Sequence, residues 1–375
     1  MFGIPVEFIL FGATLIGVAL LHHRTFTVAV TGLAVILSYK FLFSDFAGEP
    51  GLRGFVDHLD HHWVEIANLA LLLLGFALLS RHFEESKLPD LAPDILPDNW
   101  TGGLVLLALV FVMSAFLDNI AGALIGATIA AHVYRKRVHI GFLAAIVAAS
   151  NAGGSGSVVG DTTTTMMWIA GKNPLDVLHA YVGAIAAFAV FAVPAARAQQ
   201  HYGKILKHDV GGIVVDWARV GIVVFMLVTA IGSNVFANVV APDLLHAMPV
   251  IGMALWGALL VAWPLRAPDW KVMPETIKGA TFLLSLVLAA SLMPVEQLPA
   301  PSWESAFSLG FISAVFDNIP LTALALQQGN YDWGVLAYTV GFGGSMMWFG
   351  SSAGVAVSNM FPEAKSVMLW LRERI

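Results

Sequence analysis

Apolar residues run along this chain in blocks, broken by short polar stretches. A bilayer core needs about 20 apolar residues per helix. Blocks of that order stand near 2–21, 25–43, 63–80, 140–170, 176–197, 213–239, 249–265, 276–294 and 332–360. No Lys or Arg precedes the first block, whereas a secretory leader opens with a positive stretch, so 2–21 reads as a span that stays. Two more apolar regions, 101–134 and 303–329, each carry an Asp-Asn pair near the middle, and the second is too short to cross twice. Each is predicted to be a re-entrant hairpin, one helix entering, turning at mid-membrane and a second returning.

The basic residues test this arrangement. With the N-terminus outside and both hairpins returning to the side they left, 16 of the 19 Lys and Arg fall in cytoplasmic loops. Only Lys40, Arg53 and Lys172 fall outside. That is the asymmetry of the positive-inside rule, and making either hairpin a single crossing spoils it.

In this layout the first hairpin opens to the cytoplasm and the second to the outside. The sequence repeats accordingly. Ser114-Ala115-Phe116-Leu117-Asp118-Asn119-Ile120 recurs as Ser313-Ala314-Val315-Phe316-Asp317-Asn318-Ile319. Gly153-Gly154-Ser155 followed by Gly160-Asp161-Thr162 recurs, at the same spacing, as Gly343-Gly344-Ser345 followed by Gly350-Ser351-Ser352. Inverted repeats with a site between them near the midplane are a transporter signature. Repeat one is placed at 1–200, with hairpin 101–134 and broken helix 140–170. Repeat two is placed at 201–375, with hairpin 303–329 and broken helix 332–360, and its last helix is read as missing.

Composition narrows the class. The chain is 58% hydrophobic with mean hydropathy +0.79, and only 12% of its residues are charged. Soluble domains carry about 25%, so a soluble multi-domain enzyme and a disordered chain are both excluded. A net charge of −6 gives no basic footprint for nucleic acid. There is no Cys and no phosphate-binding G-x-x-x-x-G-K-[ST] loop, so thiolate chemistry and ATP-driven transport have no support. Gly350 to Gly354 fits the G-x-S-x-G elbow of serine hydrolases, but no partnered His or strand-turn-helix context accompanies it. The expected fold class is therefore an all-α polytopic membrane protein with two inverted-topology repeats, each holding a re-entrant hairpin and a broken transmembrane helix. It is not expected to be an enzyme or to need a cofactor.

The candidate chemistry sits where the helices break. A carboxylate at bilayer depth costs at least about 2.5–3.5 kcal/mol, which makes Asp118 and Asp317 functional candidates even if they also cap the returning helices. Residues 151–165 hold Gly153, Gly154, Gly156 and Gly160, too dense for a helix, followed by Asp161 and four threonines. Irregular backbone at depth is tolerated where it lines a cavity. Close packing of small residues explains the glycines but not Asp161 or the threonines. Gly343, Gly344 and Gly350 are the repeat-two equivalents, with Ser351 in the place of Asp161. By contrast Asp57-His58-Leu59-Asp60-His61-His62 reads as a solvated outer loop rather than a metal site.

Three carboxylates without a Lys or Arg favour a cation. Oxygen donors at hand are Ser114, Asn119, Thr162, Thr163, Ser313, Asn318 and Ser351. One such site can hold a metal cation or protons, not both at full occupancy, which is the simplest basis for exchange.

These stretches, Ser-x-x-x-Asp-Asn in both hairpins and Asn151-Ala-Gly-Gly through Gly160-Asp161-Thr-Thr-Thr-Thr-Met-Met-Trp168, resemble the NhaD-type sodium/proton antiporters of the ion transporter superfamily. That superfamily also includes citrate and dicarboxylate carriers and arsenite exporters, which stay as alternatives. The resemblance implies alternating access in a bacterial-type plasma membrane, with Na⁺ or Li⁺ and protons as partners besides lipid, and leaves a homodimer open. It implies Asp118, Asp161, Thr162, Thr163 and Asp317 as the cation and proton positions, with Na⁺ on the aspartates. Ala121-Gly122 stand where the family often has hydroxyls.

Overall fold

The computed structural model describes residues 5–21, 24–46, 48–91, 96–205 and 213–372. The basic residues Lys207 and Arg374 lie outside them. Among the described residues there is no strand. The helices are α1 (Val6–Leu20), α2 (Thr25–Phe43), α3 (Gly51–Glu85), α4 (Trp100–Ser114), α5 (Asn119–Val133), α6 (Ile140–Ser155), α7 (Thr162–Ile169), α8 (Pro174–Leu178) and α9 (Ala180–Tyr202). Then follow α10 (Trp217–Val240), α11 (Pro242–Ala247), α12 (Val250–Ala262), α13 (Met273–Ser291), α14 (Trp303–Ser313), α15 (Asn318–Gln328), α16 (Trp333–Gly343), α17 (Ser352–Met360) and α18 (Val367–Arg372). The protein is an all-α polytopic membrane protein, and among the described residues five stretches are long and apolar enough to cross a bilayer.

The breaks fall where the sequence places them. Region 101–134 divides into α4 and α5, and 303–329 into α14 and α15, each pair separated by a four-residue turn ending at the aspartate. At about 1.5 Å per residue, the 11 residues of α14 or α15 rise only ~16 Å, against the ~30 Å of a hydrocarbon core. Region 140–170 breaks between α6 and α7, and 332–360 between α16 and α17.

One expectation is corrected. Asp57 to His62 do not form a loop; they lie inside α3, which starts at Gly51 and runs 35 residues. A helix of that length is about 52 Å long, so its polar first turns extend past any core and need no apolar residues. There His58 Nε2 lies 2.9 Å from Ser291 Oγ on α13, and His61 Nδ1 lies 2.7 Å from the carbonyl oxygen of Asp57.

Packing repeats itself. α4 lies on α6, and α14 lies on α16. Each returning helix crosses to the other half: α5 packs on α17, and α15 on α7. Likewise α2 packs on α13 while α12 packs on α3, and α3 meets α13. Close backbone approaches are shared as well. A Cβ on Gly153 would strike the carbonyl of Phe111, and one on Gly343 would strike the carbonyl of Gly310. Only glycine lets α6 and α16 come that near to α4 and α14.

Ion pairs tie several turns together: Arg81 reaches Asp269 at 3.1 Å, Arg219 reaches Glu85 at 2.7 Å and Arg266 reaches Asp216 at 2.7 Å. The Arg266 hydrogen bond holds the Asp216 carboxyl below the usual carboxylate range. Elsewhere Lys172 sits over the Trp333 ring at 4.6 Å.

Candidate functional site

The site is built at four helix starts. Asp118 caps α5, its Oδ2 accepting from the Ile120 amide at 3.2 Å, and Asp317 caps α15, its Oδ1 accepting from the Ile319 amide at 3.0 Å. Asp161 caps α7 through the Thr163 amide at 3.0 Å, and Ser351 caps α17 through the Gly354 amide at 3.2 Å. Each of these four residues therefore serves as the N-cap of its half-helix.

Each hairpin aspartate meets the first residue of the nearby half-helix. Thr162 Oγ1 lies 3.5 Å from Asp118 Oδ1, and Ser352 Oγ donates to Asp317 Oδ2 at 3.1 Å. The hairpin serines bind the broken helices: Ser114 Oγ pairs with Ser150 Oγ at 3.0 Å, and Ser313 Oγ donates to the Val340 carbonyl at 2.8 Å. Ser150 Oγ also donates to the Asn119 carbonyl. Asn119 Nδ2 donates to Asn151 Oδ1 at 3.2 Å, and Asn151 Nδ2 donates to Ser351 Oγ at 3.1 Å. That chain joins the first hairpin, the first broken helix and the second broken helix.

Asp161 stands apart. It is 2% exposed and within electrostatic reach of Asp118 and Asp317, yet its Oδ2 has no hydrogen-bond partner. Thr163 Oγ1, fully buried, lies against the Asp161 carboxyl and has no other hydrogen-bond partner. Buried polar atoms are nearly always partnered, which makes these two oxygens, two positions apart in the sequence, candidate ligand positions. The other threonines have assigned work. Thr164 Oγ1 donates to the Ser157 carbonyl at 2.6 Å and Thr165 Oγ1 to the Val158 carbonyl at 3.0 Å, tying down the break loop.

Among the described residues no three His, Asp or Glu side chains form a metal-holding group. Asp118, Asp161 and Asp317 each have separate partners. Asn318 is buried at the start of α15, where its carbonyl accepts from Thr322. Gly154 and Gly344 face the carbonyls of Gly160 and Gly350 across their own breaks, where an added Cβ would come within 2.6 and 2.8 Å.

Five residues of the site escape the sequence reading. Asn151 and Ser150 are polar positions at the end of an otherwise apolar α6, a signal that is present in the pattern. Ser352 follows from the repeat, as the counterpart of Thr162. Gly341 is the counterpart of Asn151, and a methyl placed on it would lie 3.5 Å from Asp161 Oδ2. Tyr181 on α9, whose hydroxyl donates to the Gly153 carbonyl at 3.0 Å, leaves no signal, because the contact is purely tertiary.

Fold and site together define a polytopic α-helical membrane protein with buried acids at broken helices. No protein-family model matches the chain. It is similar to sodium/proton antiporter 1 of Arabidopsis thaliana, 26% identical over 94% of this chain and 66% of that protein. It is also similar to the Na⁺/H⁺ antiporter NhaD of Vibrio cholerae, 25% identical over 80% of this chain and 73% of the relative. The NhaD of Vibrio parahaemolyticus is 26% identical over 80% of this chain and 84% of its own length. These relatives bear out the resemblance to NhaD-type antiporters. The chain spans just under two thirds of the length of the Arabidopsis protein.

Proposed function

We propose that the chain is a secondary active Na⁺(Li⁺)/H⁺ antiporter, a transporter and not an enzyme. The observation that carries this is Asp161, a buried carboxylate at a helix break with one open oxygen beside the open hydroxyl of Thr163. Sodium is the substrate. Asp161 and Thr163 supply side-chain oxygens, and the interrupted backbone of α6 supplies carbonyls, the pattern that binds Na⁺ at discontinuous helices. A proton arriving at Asp161 removes the charge that holds the ion, so release of one cargo follows binding of the other.

Asp118 and Asp317 lie at the tips of hairpins that we read as re-entrant, one from each repeat, with Thr162 and Ser352 holding their carboxylates. The crossed packing of α5 on α17 and α15 on α7 supports two inverted repeats that move against each other to expose the site alternately. The same reading places the N-terminus outside, Arg81, Arg219 and Arg266 on the cytoplasmic side, and the protein in a bacterial-type inner membrane. A dicarboxylate substrate would meet the aspartates at both hairpin tips, so the citrate alternative has no observation in its favour.

Everted vesicles test this. Added Na⁺ should dissipate an imposed pH gradient, and Asp161→Asn or Asp317→Asn should lower that activity at least tenfold. Full activity in both variants would sink the roles assigned to them.

A further inference from the structure

We propose that the chain binds one cation at a time, on the repeat-one side, and that the matching place in repeat two is closed to cations. This rests on the antiport reading and deepens it. The two repeats superpose in spacing, so each repeat-one residue has a counterpart: Asp161 with Ser351, Thr162 with Ser352, Thr163 with Ala353, and Asn151 with Gly341.

A ligand oxygen needs a free lone pair. A serine hydroxyl has two, and Ser351 Oγ spends both, accepting from the Gly354 amide at 3.2 Å and from Asn151 Nδ2 at 3.1 Å. In this arrangement Asn151 Oδ1 accepts from Asn119 Nδ2 at 3.2 Å, so it is the N–H side of the amide that faces Ser351. The amide thus presents N–H groups, which repel a cation, to the place where repeat two would bind one. Ala353 has no oxygen to offer. Asp317 is held as its counterpart Asp118 is, one oxygen on a first-turn amide and one on the hydroxyl of the nearby half-helix, so the repeats differ at 161 against 351 and 163 against 353 rather than at the hairpin tips.

Repeat one is the reverse. Asp161 Oδ2 and Thr163 Oγ1 are buried and open. Opposite them, α16 has Gly341 rather than a second asparagine, so no amide fills the space beside Asp161 Oδ2. Asn151 therefore does two things from one position: it closes repeat two, and its absence at 341 leaves repeat one open.

Equilibrium binding of radiolabelled Na⁺ to the full chain in detergent, at alkaline pH, decides the matter. One Na⁺ per chain is expected. Thr163→Val should abolish saturable binding or weaken it at least tenfold, with no residual site beneath it. Gly341→Ala, whose methyl makes only ordinary contact with Asp161 Oδ2, should weaken Na⁺ binding several-fold while the protein keeps the elution volume of the parent. Two Na⁺ per chain with exchange intact would overturn the single site and leave the antiport reading standing. One undiminished Na⁺ in Thr163→Val would overturn it too. No Na⁺ bound by the parent chain, together with no exchange, would overturn both readings.

Discussion

Asp161 and Ser351 stand at the same point of two matching segments, and each caps the half-helix that follows. The cap accounts for one carboxylate oxygen of Asp161 and leaves the other over. In the proposed exchange, that surplus oxygen is where a proton and Na⁺ compete. Because the ligand must be deprotonated to hold the ion, apparent Na⁺ affinity should fall as pH falls. Where one proton is displaced, the half-saturating Na⁺ concentration should rise about tenfold for each unit by which pH is lowered over the competitive range. Initial exchange rates across pH measure this; a half-saturation that stays flat with pH would separate the proton from Asp161. The aspartates and the Thr162–Thr163 pair were legible in the sequence, since close packing calls for glycine at a helix break but not for acids and hydroxyls beside it. The division of labour among the four threonines was not, because it depends on which carbonyls the break loop brings within reach. The partners of the Asn151 amide were equally hidden, Asn119 lying 32 positions before it and Ser351 200 after it.

At the scale of elements, what matters is how helices end inside an apolar layer. Every first-turn amide needs an acceptor, and here the acceptors are often side chains from the same turn. At α12 the acceptor comes from another helix: Asn68, 2% exposed on α3, takes the Gly252 amide on its Oδ1 at 2.7 Å. Asn68→Leu keeps the branching and heavy-atom count and orphans that amide, which should cost at least about 1–3 kcal/mol. Chemical unfolding of the purified variant checks it, and a stability equal to the parent's would mean the α3–α12 contact rests on packing alone. The hairpins were readable because 303–329 is too short for two crossings and its central motif occurs twice. The true length of α3 was not readable, since Asp57 to His62 have the composition of a loop and become helical by continuing a span outward.

Across the whole molecule, the crossed pairs α5 with α17 and α15 with α7, and α2 with α13 against α12 with α3, give two halves that each complete the other. The charge asymmetry carries the proposed orientation, and the lack of cysteine in the sequence makes that orientation simple to test. Single cysteines at Lys172 and Asp332 should react with an impermeant maleimide from outside intact cells, and ones at Arg137 and Lys271 only after the membrane is opened. The reverse pattern would invert the assigned topology.

The central claim is that sodium and protons exchange through the carboxylate at the first broken helix. Proteoliposomes holding the purified chain and a trapped pH dye, challenged with an inward Na⁺ gradient, test it most directly. The account expects Na⁺ and Li⁺ to drive proton efflux, K⁺ and citrate not to, and Asp161→Asn to abolish the flux. A Na⁺-driven proton flux unchanged in Asp161→Asn, or no flux with Na⁺ but uptake of citrate, would contradict it.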